Sequence, residues 1–191
     1  MSDSPVIQLR APRHSGATKL DPRCVSCTTP EDDPLTFAVS RAWKVVLHPD
    51  QTVPGALLVV SLRHVARVSD LTNDEAVEFF GLYRHLERAL ETVLGATMVN
   101  LSCLRNWAYR SEHPDPPRFD GRPNPHVHWH VAPRFAQTVT LDGVTFVDSR
   151  FGEQLTWQGR RIPATQARTI IDLLATHLDV APPETPRPAA E

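Results

Sequence analysis

The chain has 191 residues, 41% of them hydrophobic and 22% charged, which is the composition of an ordinary globular protein. Its 20 basic and 22 acidic residues nearly balance, which disfavours non-specific binding to nucleic acid or to an anionic membrane. The sequence has no apolar run of about 18 residues that would span a membrane, and no secretory signal pattern, so we expect a cytoplasmic protein.

Strands and helices are predicted in chain order from hydrophobic periodicity and turn residues. Strands are predicted at 35–40, 43–48 and 56–61, a helix at 73–94, strands at 96–102, 126–132 and 138–142, and a second helix at 164–178. Thr72 and Glu75 have the spacing of a capping box at the start of the first helix, and Gly95 follows its last residue. This order indicates an α+β fold with an antiparallel sheet of about five strands, one long helix and a C-terminal helix.

The apolar residues of the long helix recur every three or four positions, which predicts one buried stripe. The stripe consists of Val77, Phe80, Tyr83, Leu86, Leu90 and Val93. Phe79, Leu82 and Ala89 widen the apolar surface beyond what one sheet face requires. We predict that this extra surface joins two copies of the chain; the alternative is that the helix at 164–178 covers it, which would allow a monomer.

Segments outside the predicted domain are marked by missing periodicity and by proline, of which the chain has 18 against 8 glycines. Residues 1–20 are predicted to be a flexible arm, and the proline-rich residues 179–191 a flexible tail. One domain remains at 21–178, with a loop insertion at 107–125. A loop of that length in a compact domain is typically functional or disordered.

The residues best suited to chemistry lie in the segment HVHWHVAPR, residues 126–134. Alternate side chains of a strand share a face, so His126, His128 and His130 should project together while Trp129 points to the other face. Three imidazoles are poor core material because each ring has two nitrogens to satisfy. The row therefore predicts a reactive site; the alternatives are a solvated histidine face or a single metal site.

Cys24 and Cys27 form a CxxC pair in a chain with three cysteines. The odd number argues against a disulfide scaffold, and the spacing indicates a metal-binding or redox pair. A redox pair is disfavoured because no helix is predicted to begin at Cys27, and a reduced pair without metal is the other alternative. Cys103 is most simply a small core residue.

The segment HVHWHVAPR resembles the signature of the histidine triad family, in the bacterial form that continues with Pro-Arg. The resemblance covers about residues 24–160 and includes the CVSC pair at 24–27, PGALLVV at 54–60 ahead of His64, NLSCLRN at 100–106 and FVDSRFG at 146–152. It implies the histidine triad fold and nucleotide phosphate chemistry.

The resemblance implies a hydrolase that cleaves a nucleoside phosphoanhydride or phosphoramidate, such as a diadenosine polyphosphate or a nucleoside monophosphoramidate. His128 would attack phosphorus and form a nucleotidyl-histidine while a backbone carbonyl holds its other nitrogen, and His130 would hydrogen-bond the phosphate. The candidate substrate-binding residues are Asn100, Asn106, Asn124 and His48. The alternatives are a scaffold reused for nucleotidyl transfer or specialised metabolism, and a nucleotide-binding regulator without turnover.

The resemblance also implies a zinc ion and a homodimer. In several family members a cysteine pair, a later histidine and the first histidine of the triad hold zinc. The corresponding residues are Cys24, Cys27, His64 and His126. The ion would tie the N-terminal segment to the triad strand and leave His128 free. Neither nucleic acid nor a membrane is expected as a partner.

Overall fold

The structure, a computed structural model, describes residues 7–12 and 21–181. Its main sheet has five antiparallel strands in the order β1-β2-β3-β5-β4. The strands are β1 (Thr36–Val39), β2 (Trp43–Leu47), β3 (Leu57–Ser61), β4 (Met98–Ser102) and β5 (His128–Arg134), and a separate hairpin consists of β6 (Val139–Leu141) and β7 (Val144–Phe146). The helices are α1 (Val25–Thr28), α2 (Asn73–Leu94) and α3 (Ala164–His177). The predicted α+β architecture is confirmed.

The ends of α2 agree with the prediction. The Thr72 side chain accepts a hydrogen bond from the Glu75 backbone, and the Glu75 carboxylate accepts one from the Thr72 backbone. Gly95 ends the helix at φ 73°, a left-handed conformation that suits glycine. Both boundaries are therefore set by residues adjacent in sequence.

The buried face of α2 differs from the predicted stripe. Val77 and Phe80 are exposed, at 58% and 55%, whereas Phe79, Leu82 and Ala89 are almost completely buried. The Phe79 ring stacks on Trp129 of β5 at 4.6 Å between ring centroids, and Trp43 of β2 packs against it at 5.2 Å with its ring tilted by 55°. These contacts rotate the helix so that the residues predicted to widen its surface belong to the core. Periodicity alone could not decide which of the two stripes is buried, because both of them include Leu86 and Leu90.

The two faces of the sheet have different surroundings. Trp129 and Val131 of β5 face α2, as predicted; Val131 lies within the hydrophobic core and Trp129 packs against it. α3 packs against α2 and β1, so it covers part of α2 within the same chain. The other face of the sheet carries the polar side chains of β5 and is covered by α1 and by loops.

The chain segments at the outer edge of β1 pair with each other and with that strand. Arg10 and Val39 exchange backbone hydrogen bonds of 3.0 and 2.9 Å, and the Ala181 N–H donates to the Leu9 carbonyl at 3.0 Å. Residues 7–12 of the predicted arm are thus attached to the sheet. The rest of that arm, and residues 182–191 of the predicted tail, lie outside the described residues. Over the described ranges, no helix has both the length and the apolarity needed to cross a membrane.

Candidate functional site

Cys24, Cys27, His64 and His126 form a compact group beside the start of β5. Their ligand atoms all lie within 4.8 Å of one another. The Cys24 thiol is 3.3 Å from Nδ1 of His126, and the Cys27 thiol is 3.2 Å from Nδ1 of His64. The structure therefore brings together the four residues that the sequence analysis expects to bind zinc.

The orientation of both histidines is fixed by their other ring nitrogens. Nε2 of His126 donates to the Ser61 carbonyl at 2.9 Å. Nε2 of His64 donates at 3.0 Å to the amide oxygen of Asn124, whose amide nitrogen donates to Asp21 at 2.7 Å. Both Nδ1 atoms thus present a lone pair to the thiols. Such outer hydrogen bonds are typical of metal-binding histidines.

The electrostatics of the group favour a bound cation. Burial, and then the charge of Cys24, raise the pKa of Cys27 to about 12, so its thiolate needs a compensating positive charge. Burial lowers the pKa of His126 to about 4, which keeps its imidazole neutral and able to coordinate a metal. Two sulfur and two nitrogen donors are the tetrahedral set that structural zinc prefers. The group fits a zinc ion.

Lys44 holds the helix that carries the cysteine pair. It lies on β2 with its side chain toward α1, and its ammonium donates to the carbonyls of Ser26 and Thr29 at 3.0 and 3.2 Å. Because Cys27 lies within α1 and Cys24 immediately precedes it, this contact fixes both thiols relative to the sheet.

His128 and His130 lie next to the metal group on the same face of the sheet. Nδ1 of His128 donates to the His126 carbonyl at 2.8 Å, so Nε2 keeps its lone pair. The two rings are 5.1 Å apart, and no described residue gives the buried Nδ1 of His130 a hydrogen bond. Burial, and then the neighbouring His128 and His48, lower the pKa of His130 to about 3. Burial also lowers the pKa of His128, so both rings are neutral near pH 7.

His48 lies at the His130 end of this row. Its ring is 5.3 Å from the ring of His130 and stacks on Trp157 at 4.3 Å with an interplanar angle of 9°. Trp157 was missed in the sequence because it lies far from the triad in a segment with no periodic pattern. Its only signal is a large aromatic residue in an otherwise polar stretch.

Two residues hold the segment that carries Trp157. Arg134 of β5 forms a buried ion pair with Asp148 at 2.6 Å and donates to the Glu153 carbonyl at 2.8 Å. Asp50 accepts backbone hydrogen bonds from Gly159 and Arg160 at 2.7 and 3.0 Å. These anchors fix Trp157 from both sides.

The three predicted asparagines occupy different places. Asn100 pairs with Ala132 across β4 and β5, so its side chain shares the face of His130. Asn106 is exposed at the start of a 3-10 helix. Asn124 is buried, and its amide oxygen and nitrogen bond to His64 and to Asp21. Ser102, which the sequence analysis did not select, lies directly opposite His130.

Comparisons with known proteins agree on the fold. No protein-family model matches the chain, and no curated protein matches it. A histidine triad protein from Marinobacter aquaeolei is similar at TM-score 0.53 and 16% identity, covering 74% of this chain and 85% of that one. The diadenosine triphosphate hydrolase of Plasmodium falciparum is similar at TM-score 0.51 and 14% identity, covering 78% of each chain. With these similarities and its own row of histidines, the chain has the fold of the histidine triad proteins.

Proposed function

We propose that this protein hydrolyses a nucleoside phosphoanhydride or phosphoramidate through a covalent nucleotidyl-histidine on His128. The observation that carries the proposal is the hydrogen bond from Nδ1 of His128 to the His126 carbonyl. It leaves the lone pair of Nε2 free on a neutral ring, which is the state of a nucleophilic imidazole. The similarity to a diadenosine triphosphate hydrolase supports the same class of substrate.

The reaction would proceed in two displacements at phosphorus. Nε2 of His128 forms a bond to phosphorus as the bond to the leaving group breaks, and the leaving group departs with that electron pair. Water then attacks phosphorus, the phosphorus–nitrogen bond breaks, and the nucleotide leaves as a monophosphate with one proton released. The carbonyl of His126 stabilises the positive charge on the His128 ring while it is bonded to phosphorus.

The neighbours of His128 would bind the phosphate oxygens. The His130 ring lies 5.1 Å from the His128 ring between centroids. Asn100 and Ser102 present an amide and a hydroxyl on the same face. Hydrogen-bond donors fixed before the reaction stabilise charge on these oxygens without reorganisation.

We further propose that Cys24, Cys27, His64 and His126 hold one zinc ion. The two sulfur and two nitrogen atoms and the fixed orientation of both imidazoles support this assignment. When bound, zinc would cross-link α1 to the start of β5. His126 would keep its carbonyl directed at His128.

The test is a substrate panel of a diadenosine polyphosphate and an adenosine phosphoramidate, with wild type beside His128→Ala. Release of AMP by wild type and its loss in the variant are the expected results. Tight nucleotide binding without any product would contradict hydrolysis and favour a nucleotide-binding regulator. Transfer of the nucleotidyl group to an added acceptor in place of water would favour a transferase.

We propose that the chain forms a homodimer whose interface uses residues other than those predicted from the sequence. Val77 and Phe80 leave an apolar surface on α2 after α3 has packed, and β4 is an edge strand of the sheet. Light scattering at micromolar concentration should give twice the mass of the 191-residue chain. Phe80→Glu should dissociate the dimer, and a single-chain mass for wild type would contradict it.

A further inference from the structure

Arg105 lies beside the histidine row, on the chain that leaves β4. Its guanidinium donates through Nη1 to the carbonyl of Ala66. Ala66 follows Val65, whose carbonyl accepts the N–H of Val127 at 2.7 Å, one residue before His128. Arg105 is therefore fixed next to the start of β5.

The guanidinium of Arg105 has capacity for a further partner. Arg10, Arg63 and Arg134 each form a bidentate pair with a carboxylate. In the described part of the chain no carboxylate lies within ion-pair distance of Arg105, although its side chain is half-buried. A half-buried cation with only a carbonyl partner retains donors for an anion, and a guanidinium fits phosphate oxygens with two parallel hydrogen bonds.

Arg105 and His48 lie at opposite ends of the histidine row. Strand pairing places Leu47 level with Leu57 and Leu57 level with Val131, so His48 is at the His130 end. Ser102 is level with His130, and β4 runs antiparallel to β5. The chain after Ser102 therefore continues toward His128 and the metal group, and Arg105 lies three residues along it. A substrate lying along the row would thus have one half near His48 and the other near Arg105.

We propose that Arg105 binds an anionic leaving group, so that the site favours phosphoanhydrides over phosphoramidates of simple amines. This inference rests on the proposed function and on a nucleoside bound at the His48 end. As the phosphorus–oxygen bond breaks, the leaving phosphate gains negative charge, which Arg105 stabilises. An amine leaves neutral after taking up a proton, and gains nothing from this cation. The charge of Asp115 also acts on His128. The Asp115 backbone N–H donates to the Trp107 carbonyl at 3.1 Å, two residues along the chain from Arg105.

The test compares the two leaving groups in Arg105→Gln, with Arg168→Gln as the matched control for loss of one arginine. Arg168 is exposed on α3. We expect Arg105→Gln to lower kcat/KM for a diadenosine polyphosphate by about 10- to 100-fold, and for adenosine phosphoramidate by less than about 3-fold. Equal losses on both substrates, or no loss on either, would overturn the proposal.

Two further measurements keep the result independent of folding and of turnover. Arg105→Lys keeps the charge but loses the planar guanidinium, so kcat/KM should fall by about 3- to 10-fold for the polyphosphate alone. An equal fall for both substrates would contradict the proposal. Calorimetry with inorganic tripolyphosphate should show binding to wild type that Arg105→Gln loses. If wild type cleaves neither substrate, the hydrolase proposal fails, but tripolyphosphate binding still tests the role of Arg105. Undiminished binding in Arg105→Gln, or no binding in wild type, would overturn the proposal for Arg105.

Discussion

His126 and His128 are two residues apart in one short segment, yet their surroundings are opposite. The side chain of His126 is 2% exposed, donates to the Ser61 carbonyl and faces two thiols, so the protein occupies both of its ring nitrogens. Within residues 7–12 and 21–181, His128 bonds through one ring nitrogen, to the His126 carbonyl. The number of nitrogen partners therefore favours a structural role for His126 and, as proposed above, a chemical role for His128.

The largest expected effect comes from removing the chemical histidine. His128→Gly should lower turnover by at least about 1,000-fold while nucleotide binding and metal content persist, because only the nucleophile is removed. Turnover, calorimetry and metal analysis measure the three quantities. His85→Ala, which removes an exposed histidine of α2, is the control and should retain wild-type turnover. A phosphorus–nitrogen adduct trapped on His126 or His130 would reverse the assignment.

Removing one of the proposed metal ligands that surround His126 should act first on the stability of the fold. Cys24→Ser is expected to lose the metal and to lower the melting temperature by roughly 10 °C, because metal bound only to the folded state contributes to folding free energy. Cys103→Ser, outside the metal group, should keep about one zinc per chain. Metal-free wild type, prepared without chelator, would refute the zinc assignment.

A smaller effect should separate the two possible roles of Asn124. If it orients His64, Asn124→Ala should weaken zinc affinity by about 10- to 100-fold. Competition with a chelator measures the affinity, and Asn106→Ala is the exposed control. Unchanged zinc affinity together with a raised KM for nucleotide would instead assign Asn124 to the substrate.

The smallest effect concerns the cap of α2. Hydrogen bonds from Arg63 lower the pKa of Glu75 to about 2 from its ordinary 4.5. The ionised carboxylate thus contributes stability that is present above pH 4.5 and is lost as the pH falls toward 2. Glu75→Gln should lower the free energy of unfolding by about 1 kcal/mol at pH 7 and by less near pH 3. An equal cost at both pH values would contradict the ionic contribution.

Features that depend on neighbouring residues could be predicted from the sequence, and features that depend on distant ones could not. The limits of α2 follow from Thr72, Glu75 and Gly95, and the outward alternation of the triad strand follows from its period of two. The rotation of α2 depends on Phe79 meeting two tryptophans from separate strands, which no periodicity contains. Trp157 and Arg105 become site residues only because the chain folds them onto the row.

The family resemblance supplied what periodicity could not at the metal group. Cys24 and Cys27 suggest a metal by their spacing alone, but nothing local connects them to His64 or to His126. The same resemblance placed Asn124 near substrate, where its bonds to His64 and Asp21 point to another role. A family motif therefore predicts the region of the fold in which a residue lies more reliably than it predicts the contacts of that residue.

The buried pair of Arg134 and Asp148 has a consequence for the interpretation of mutational scans. Arg134 touches none of the proposed reacting atoms, but it tethers the segment that leads to Trp157 and hence to the stacking partner of His48. In a scan of every position, Arg134 and Asp148 should therefore group with the active site and not with the core. Their effects should be non-additive, because the ion pair is lost when either residue is replaced.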